Sequence, residues 1–420
     1  MDLRIQNSTY TFGLKVRPQM DPGNHVTTWL PIAITTYLLY LSTSGETRKQ
    51  LQDLFALDPV FAANDALLIQ SLQNWTQATL ATTTPKTGGT FTISSTIYIQ
   101  KRFQLKATFI YATSGKFFDS AFEVVDDFGP ATQDHINQWA SDVTNGKLTS
   151  LVTPANLNAN STMLMTSVVY IKLAWKRLFP TRTTLLTFTQ SDGKKVSVPF
   201  VGYTTPTTLQ YLETPDLRYI EVPLKNANWL AYFVIPRGNV TIKALWENRN
   251  VMNTLQMKNA ATARSVLLRF PKFTVDTTEN YMDIFRKLGV NKVFQDDADF
   301  SKLTYTNGLH LSQITTRSVI TVNQDGVELA AAGMGVGAGV VYAGTTDSVL
   351  NVNVDSPFLF AVVNNPNPSR FDMGVLQYHA TTPGDEMARN SSSVLICRPF
   401  TSKFSTANHA SKAARTVGHS

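Results

Sequence analysis

The pattern of apolar and polar positions separates a helix-rich first third of the chain from a strand-rich remainder. In the first third, apolar residues recur at helical spacing, Ser44 provides a plausible cap before one segment and Gly146 ends another. One stretch alternates apolar and polar residues and is rich in β-branched side chains, which is typical of a strand. The pattern therefore predicts helices over residues 31–41, 44–55, 65–81, 105–118 and 134–146, and a strand over 89–100.

Strands dominate from Met163 onward, where apolar runs are separated by turn residues. The predicted strands cover residues 163–175, 194–203, 218–224, 228–236, 264–275, 311–323, 349–363 and 369–380, with helices over 241–258 and 278–290. Helices followed by many strands without strict alternation predict an α+β fold with a buried sheet. We expect one domain over residues 1–380, and then a polar, Ser-rich and poorly ordered tail over residues 381–420.

Composition fits a packed globular protein and excludes several classes of function. Of the 420 residues, 43% are hydrophobic and 16% charged, which is too apolar for a disordered chain. The formal charge is +7, but no dense basic stripe is visible, so we expect no nucleic-acid partner. No apolar run reaches the roughly 18 residues of a membrane-spanning helix. A single cysteine, Cys397, excludes an internal disulfide, and we expect a monomer.

No group of residues in the sequence has the spacing of a catalytic or metal site. The segment Gly333-x-Gly335-x-x-Ala338, with Asp355 about 20 residues further on, fits a dinucleotide fingerprint, but a strand-like sequence follows it instead of a helix. The six histidines lack the spacing of metal ligands, and no nucleophile elbow is present. We therefore expect no cofactor, no metal ion and no enzymatic activity.

Six segments occur in an order that is specific to one family. They are INQWASDVTNGKLTSLV (136–152), SVVYIKLAWKRLF (167–179), FPKF (270–273), KLGVNKVFQDDADFS (287–301), ITVNQDGVELAAAG (320–333) and DSPFLFAVV (355–363). Over residues 8–380 the chain resembles the serpins, and its start without an apolar signal region resembles their ovalbumin-like branch. The resemblance implies three β-sheets, eight to nine helices and an exposed reactive-centre loop over residues 326–350.

The resemblance also implies a suicide-type inhibitor, in which a protease cleaves the loop and the freed loop inserts into the main sheet as a new strand. The hinge of the loop matches Gly326, Val327, Glu328, Leu329, Ala330, Ala331, Ala332 and Gly333. Because side chains alternate faces along a strand, an inward Val327 places Glu328 toward solvent and Leu329 inward, where its bulk would slow insertion. No proline or inward charge blocks the strand, which favours an inhibitor over a non-inhibitory serpin. A flexible Gly/Ala linker is the alternative for this segment, but a linker would not need the adjoining NQDGVELAAAG sequence.

Two counts along the loop give different positions for the scissile bond that the resemblance implies. Counting from the hinge gives Val340–Val341, whereas counting back from Pro357 gives Thr346. We favour the first count because the hinge sets the depth of insertion, and Gly339, Tyr342 and Thr346 are the alternatives. A valine suits an elastase-like protease and a tyrosine a chymotrypsin-like one, while the absence of Arg and Lys from residues 327–350 disfavours trypsin-like targets.

Serpins usually cross-link the region where the strands of the main sheet part through buried polar side chains. The matching positions in this chain are Leu30, Ala33, Ser167 and Thr316. Because the changes toward apolar or smaller groups occur together, we expect a repacked but intact opening region. Lys272 matches the family's salt-bridge lysine, but its partner position is Gln324, so at most a hydrogen bond is expected there.

Two other functions stay open on the sequence alone. A non-inhibitory serpin that acts as a binding, chaperone or storage protein is one, and an inhibitor of cysteine proteases is the other. Heparin is not expected as a partner, because residues 65–84, where the family often gathers basic side chains, contain none. We expect an extracellular location, with the cytoplasm as the alternative.

Overall fold

The structure is a computed structural model that describes most of the chain. The described residues are 3–19, 25–27, 29–81, 89–113, 120–154, 157, 160–247, 254–328, 348–364 and 376–380. They all lie in one compact unit, Met1–Pro383. The predicted tail over residues 381–420, with Cys397, lies outside the described residues.

Ten α-helices lie within these residues. They are α1 (Leu3–Val16), α2 (Trp29–Ser42), α3 (Gly45–Phe55), α4 (Pro59–Ala63), α5 (Asp65–Ala81), α6 (Ala107–Thr113), α7 (Pro130–Val143), α8 (Ile242–Glu247), α9 (Thr254–Ala260) and α10 (Tyr281–Lys287). Helix α7 ends near the predicted glycine, since Asn145 and Gly146 adopt φ angles of 53° and 77°. Helix α1 was not predicted, because Asn, Ser and Thr residues obscure the helical spacing of its buried Ile5, Phe12 and Val16.

From residue 163 onward, strands occur in every predicted strand region, and the strands Thr184–Thr189 and Thr207–Glu213 were not predicted. In chain order the strands are β1 (His25–Thr27), β2 (Gly89–Gln100), β3 (Ser120–Val125), β4 (Met163–Ala174), β5 (Thr184–Thr189), β6 (Lys195–Gly202), β7 (Thr207–Glu213), β8 (Leu217–Pro223), β9 (Trp229–Pro236), β10 (Thr262–Pro271), β11 (Phe273–Asn280), β12 (Gln313–Val322), β13 (Gly326–Glu328), β14 (Leu350–Asn353), β15 (Phe358–Asn364) and β16 (Leu376–Ala380). They form two hydrogen-bonded sheets.

The six-stranded sheet has the order β11-β12-β13-β4-β2-β3. Alternate residues of β4 point to its two faces: Met165, Val169 and Ile171 join the main core, whereas Leu164 and Val168 join a second cluster together with Ile136 of α7. One face therefore lies against the main core and the other beneath α7, which explains why β4 is buried along nearly its whole length.

The larger sheet has ten strands in the order β1-β16-β15-β9-β8-β7-β10-β6-β5, with β14 pairing parallel to β10. Strand β10 joins its two parts, because Thr262–Val266 pair with β7 and Arg269–Pro271 pair with β6. The two parts, together with the six-stranded sheet, correspond to the three sheets that the resemblance implied.

Helix α2 lies in the main core and packs against β2 and β4. Its residues from position 32 onward are buried, so the helix is apolar on nearly every side. The hydroxyls of Thr35 and Thr36 both donate to the Ile32 carbonyl, at 3.1 and 2.6 Å, so these buried polar groups are hydrogen-bonded.

Candidate strand-insertion site

Strand β13 lies between β4 and β12 and pairs antiparallel with both. A tight turn leads into it from β12, because the Asn323 side-chain oxygen accepts hydrogen bonds from the backbone N–H groups of Asp325 at 2.9 Å and Gly326 at 3.3 Å. Val327 pairs with Leu173 on one side and with Val322 on the other. The first three residues of the predicted hinge thus already form a strand of the sheet.

Gly326 lies in close contact with the backbone of β4. A Cβ atom at this position would lie 2.1 Å from the carbonyl oxygen of Leu173 and 3.0 Å from the Cα of Ala174. Backbone atoms cannot yield as the end of a flexible side chain can, so only glycine permits this approach.

The next two side chains of β13 point to opposite faces of the sheet. Val327 is buried in the main core and 1% exposed. Glu328 lies on the face that carries Tyr170 and Lys172, and its carboxylate accepts a hydrogen bond from the Tyr170 hydroxyl at 3.4 Å and lies 3.4 Å from the Lys172 ammonium. Burial, and then the Glu328 carboxylate, raise the pKa of Tyr170. Glu328 is only 9% exposed, so it faces away from the core as expected but is covered rather than open to solvent.

Trp175 directly follows β4 and holds the turn before β13 in place. Its indole N–H donates to the Asn323 carbonyl at 2.8 Å, and its backbone N–H donates to the Asp325 carbonyl at 3.2 Å. The ring is 1% exposed and packs edge-to-face against Phe179 and Phe270. This role of Trp175 was not predicted, because Trp175 and Asn323 are separated by almost 150 positions and only the fold joins them.

Beyond β13, strands β4 and β12 pair directly with each other in parallel along five residues each, Leu164–Val168 and Gln313–Arg317. We name this pairing the β4–β12 seam. Ser167 lies opposite Thr316 within it, and the Ser95 hydroxyl of β2 donates to the Ser167 hydroxyl at 3.2 Å. Between the seam and β13, residues 169–171 of β4 pair with β2, and residues 318–320 of β12 pair with β11.

Comparison with known proteins decides the family. A family model described as serpin (serine protease inhibitor) matches residues 9–377. This chain belongs to the serpin family. The serpin is 26% identical to serine protease inhibitor 42Dd of Drosophila melanogaster over 310 residues, which are 72% of this chain and 79% of that protein. It is 23% identical to neuroserpin of Homo sapiens over 377 residues, 87% of this chain and 89% of that protein.

Solved structures show the serpin fold as well. Native protease nexin-1 with heparin matches with a TM-score of 0.77 and 22% identity, covering 90% of this chain and 99% of that one. Thyroxine-binding globulin in complex with thyroxine matches with a TM-score of 0.75 and 18% identity, covering 91% and 99%. The shared fold is therefore found both in a protein named for a protease and in one named for a hormone.

Of the predicted opening region of the serpin, the structure brings Ser167 and Thr316 together directly. Ala33 is buried in α2, whereas Leu30 belongs to α2 but its side chain lies outside the described residues. Ser95, which was not predicted to belong to this region, forms a buried hydrogen bond with Ser167. Sequence reasoning missed it because Ser95 becomes a neighbour of Ser167 only through the β2–β4 register.

Near the start of the serpin hinge, at most a hydrogen bond was expected between Lys272 and Gln324, and Gln324 has a different partner. The Gln324 side-chain amide donates to the Asp325 carboxylate at 2.8 Å. Burial lowers the pKa of Lys272, and the Asp325 carboxylate opposes this effect, so Asp325 supplies the negative charge near the lysine.

The remaining predicted serpin positions lie outside the described residues. They are Leu329, Ala330, Ala331, Ala332 and Gly333 of the hinge, and Gly339, Val340, Val341, Tyr342 and Thr346 around the scissile bond. Within the described part of the chain, no group of three or more metal-ligating side chains occurs. In that same part, no helix is long and apolar enough to cross a membrane.

Proposed function

We propose that this serpin is a suicide-type inhibitor of serine proteases with elastase- or chymotrypsin-like specificity. The observation that carries the proposal is the position of β13, which occupies the first three places of a strand between β4 and β12. In the proposed reaction, the cleaved loop continues this strand down through the β4–β12 seam.

The existing registers support insertion without any slip of the neighbouring strands. Strand β13 pairs Val327 with Leu173 and with Val322. Continued residue by residue, both registers place Gly333 between Ser167 of β4 and Thr316 of β12, and those two residues already face each other in the seam. A strand can therefore enter between them with its hydrogen bonds matched on both edges.

The side chains of the loop suit the two faces that this register gives them. Leu329 would lie inward beside Ile171 and Ile320, which are both core residues, and Ala331 and Gly333 would follow on the same face. No charged residue or proline occurs from Leu329 to Val341, so neither an uncompensated buried charge nor a missing backbone donor opposes the strand.

The proposed chemistry belongs to the target protease, and the serpin supplies the bait and the movement. The protease serine Oγ attacks the Val340 carbonyl, the bond to the Val341 nitrogen breaks, and the protease histidine passes the serine proton to that nitrogen. The resulting ester links the protease to Val340. Insertion of about 14 residues at roughly 3.3 Å each then carries the protease on the order of 45 Å, distorting its active site before water releases it.

Mixing the intact serpin with pancreatic elastase and with chymotrypsin tests the proposal. We expect a covalent complex that survives denaturing electrophoresis, and mass spectrometry of the released C-terminal fragment should show a start at Val341. Rapid cleavage without a complex would refute inhibition and favour the non-inhibitory alternative, a binding, chaperone or storage protein. A complex formed only with papain-like enzymes would favour the cysteine-protease alternative.

Partners and location follow from the same proposal. The target protease is the expected macromolecular partner, and the serpin acts as a monomer outside the cell, with the cytoplasm as the alternative. The absence of basic residues from positions 65–84 argues against heparin as a cofactor, although the structural neighbour protease nexin-1 carries heparin.

A further inference from the structure

The connection between α7 and β4 crosses the face of the sheet on which the β4–β12 seam lies. We call residues 144–154 of this connection the α7–β4 linker. Its Leu148, Leu151 and Val152 share a buried cluster with Val168 of β4, and Val319 of β12 packs against that cluster. The linker therefore covers both of the strands that must separate for a loop to insert.

A single side chain, that of Asn137, ties helix α7 to the linker. The Asn137 side-chain oxygen accepts hydrogen bonds from the backbone N–H groups of Leu151 at 2.7 Å and Val152 at 2.9 Å. The Asn137 amide also donates to the Val152 carbonyl at 3.0 Å. All three hydrogen bonds join α7 to the linker and none reaches β4 or β12, so opening of the seam would leave them intact.

Arg317 attaches the linker to β12. One guanidinium nitrogen donates to the Ser150 carbonyl of the linker. The other two guanidinium nitrogens donate to the Asp276 carboxylate of β11, Nε to Oδ1 at 2.9 Å and Nη2 to Oδ2 at 2.5 Å. Asp276 thus fixes the orientation of the guanidinium, and its hydrogen bonds are the main reason that the pKa of Arg317 is raised.

Insertion of a strand would separate the two attachments of the linker. Arg317 is paired with Val168 across the seam, and the register of β13 would place Ala332 between them. Because neighbouring strands lie about 4.8 Å apart, β12 and β4 would move apart by about that distance. A hydrogen bond cannot span this added distance, so a linker that stays with β4 would lose the bond from Arg317 to Ser150 on insertion. The pair with Asp276 would persist, because β11 and β12 are paired along eight residues and would be displaced together.

We propose that Arg317 is a positioning residue that holds the seam closed through the Ser150 carbonyl and thereby slows loop insertion. The inference rests on the insertion step of the proposed function but not on protease inhibition itself. A contact present in only one of two states shifts the equilibrium toward that state, and its loss lowers the barrier to leaving it. The Asp276 pair, which is present in both states, has no such effect.

Incorporation of a fluorescent synthetic peptide with the sequence of residues 329–340 into the intact protein tests the inference. We expect the Arg317→Ala variant to incorporate the peptide about tenfold faster or more, the change that corresponds to losing one hydrogen bond to a charged group. Arg237→Ala is the matched control, because Arg237 also bridges a carboxylate, that of Glu213 at 2.9 Å, and a carbonyl, that of Thr214 at 2.6 Å. Arg237 directly follows β9 of the larger sheet, so it belongs to neither strand of the seam.

A second measurement separates the state-specific role from general destabilisation. Arg317→Ala should lower the melting temperature of the intact protein more than that of the loop-cleaved protein, whereas Arg237→Ala should lower both equally. Equal peptide incorporation by wild type and Arg317→Ala, or none by any variant, would overturn the inference. Failure to trap a protease covalently would refute only the proposed function, because peptide incorporation requires no protease.

Discussion

Ser167 of β4 lies directly opposite Thr316 of β12, and its hydroxyl accepts a hydrogen bond from Ser95 of β2 at 3.2 Å. All three side chains are buried, at 3%, 8% and 0% exposure. The hydroxyl pair therefore joins β4 to β2, whereas β4 and β12 are joined across the seam by backbone pairing, which an inserted strand could replace.

The Ser95–Ser167 pair gives a prediction for stability. Ser167→Ala leaves the buried Ser95 donor without its acceptor and should cost about 1–3 kcal/mol of unfolding free energy. The double variant Ser95→Ala/Ser167→Ala should cost less than the two single changes added together, because no unpaired hydroxyl remains. Urea denaturation of the wild type, the two single variants and the double variant measures these costs. If the two single costs simply add up in the double variant, the two hydroxyls are not energetically coupled.

Gly326 is expected to tolerate no side chain. Gly326→Ala places a methyl group 2.1 Å from the Leu173 carbonyl oxygen, so β13 must move away from β4, at a cost of about 1–3 kcal/mol. Faster hydrogen exchange of the Glu328 amide would report the displacement. Gly193→Ala is the control. Its φ of +82° also disfavours a side chain, but an added Cβ atom would have no neighbour within 4 Å, so hydrogen exchange in β13 should stay unchanged. Unchanged exchange in Gly326→Ala would contradict the prediction.

Two glutamates of the larger sheet should affect stability with opposite dependence on pH. Burial raises the pKa of Glu221 above its ordinary 4.5, against the hydrogen bond from the Tyr219 hydroxyl at 2.8 Å. The folded protein then binds the proton more tightly than the unfolded chain, so stability falls as pH rises from 4.5 through the raised value. Glu221→Gln should remove that fall in urea midpoints measured across this range.

Glu213 provides the internal comparison for this experiment. Its hydrogen bond with the Tyr211 hydroxyl lowers its pKa, and the nearby Arg218 and Arg237 act in the same direction. Its contribution is therefore present above pH 4.5 and is lost as pH falls through the lowered value. Glu213→Gln should flatten the profile below that pH and leave the higher range unchanged. If both variants changed the pH dependence of stability in the same pH range, the opposite pKa shifts of Glu221 and Glu213 would be refuted.

An inward charge at Gly333 should convert the inhibitor into a substrate. The register of β13 places Gly333 between Ser167 and Thr316, so an aspartate there would be buried without a counter-charge. Gly333→Asp should be cleaved at the wild-type rate, form no covalent complex and show no rise in melting temperature after cleavage. Gly344→Asp, beyond the proposed scissile bond, should keep the rise. A normal complex with Gly333→Asp would refute the proposed path of insertion.

Much of the fold follows from the sequence because burial on both faces leaves long apolar strands. Strand β4 was predicted over residues 163–175 and is observed as Met163–Ala174. Strand β3 was missed, since a half-exposed edge strand such as Ser120–Val125 carries a weaker pattern. Of the predicted helix over 241–258, the described residues contain the helices Ile242–Glu247 and Thr254–Ala260.

The candidate site was only partly accessible from the sequence. Starting from an inward Val327, alternation along the hinge predicted that Glu328 lies on the opposite face of the sheet, because face alternation is a local property of a strand. The burial of Glu328 was not predicted, since its covering partners Tyr170 and Lys172 come from a distant strand. Likewise, the attachment of the linker by Arg317 depends on Ser150 and Asp276, which only tertiary structure brings together.

Strands β14, β15 and β16 follow the loop and are bound into the larger sheet, where β15 pairs with both β9 and β16, and β16 pairs with β1. A molecule cut in its loop consequently consists of two polypeptides that share one hydrophobic interior. The smaller piece should leave only when the larger one unfolds, so we expect the cleaved protein to migrate as a single particle in native buffer and as two chains in detergent.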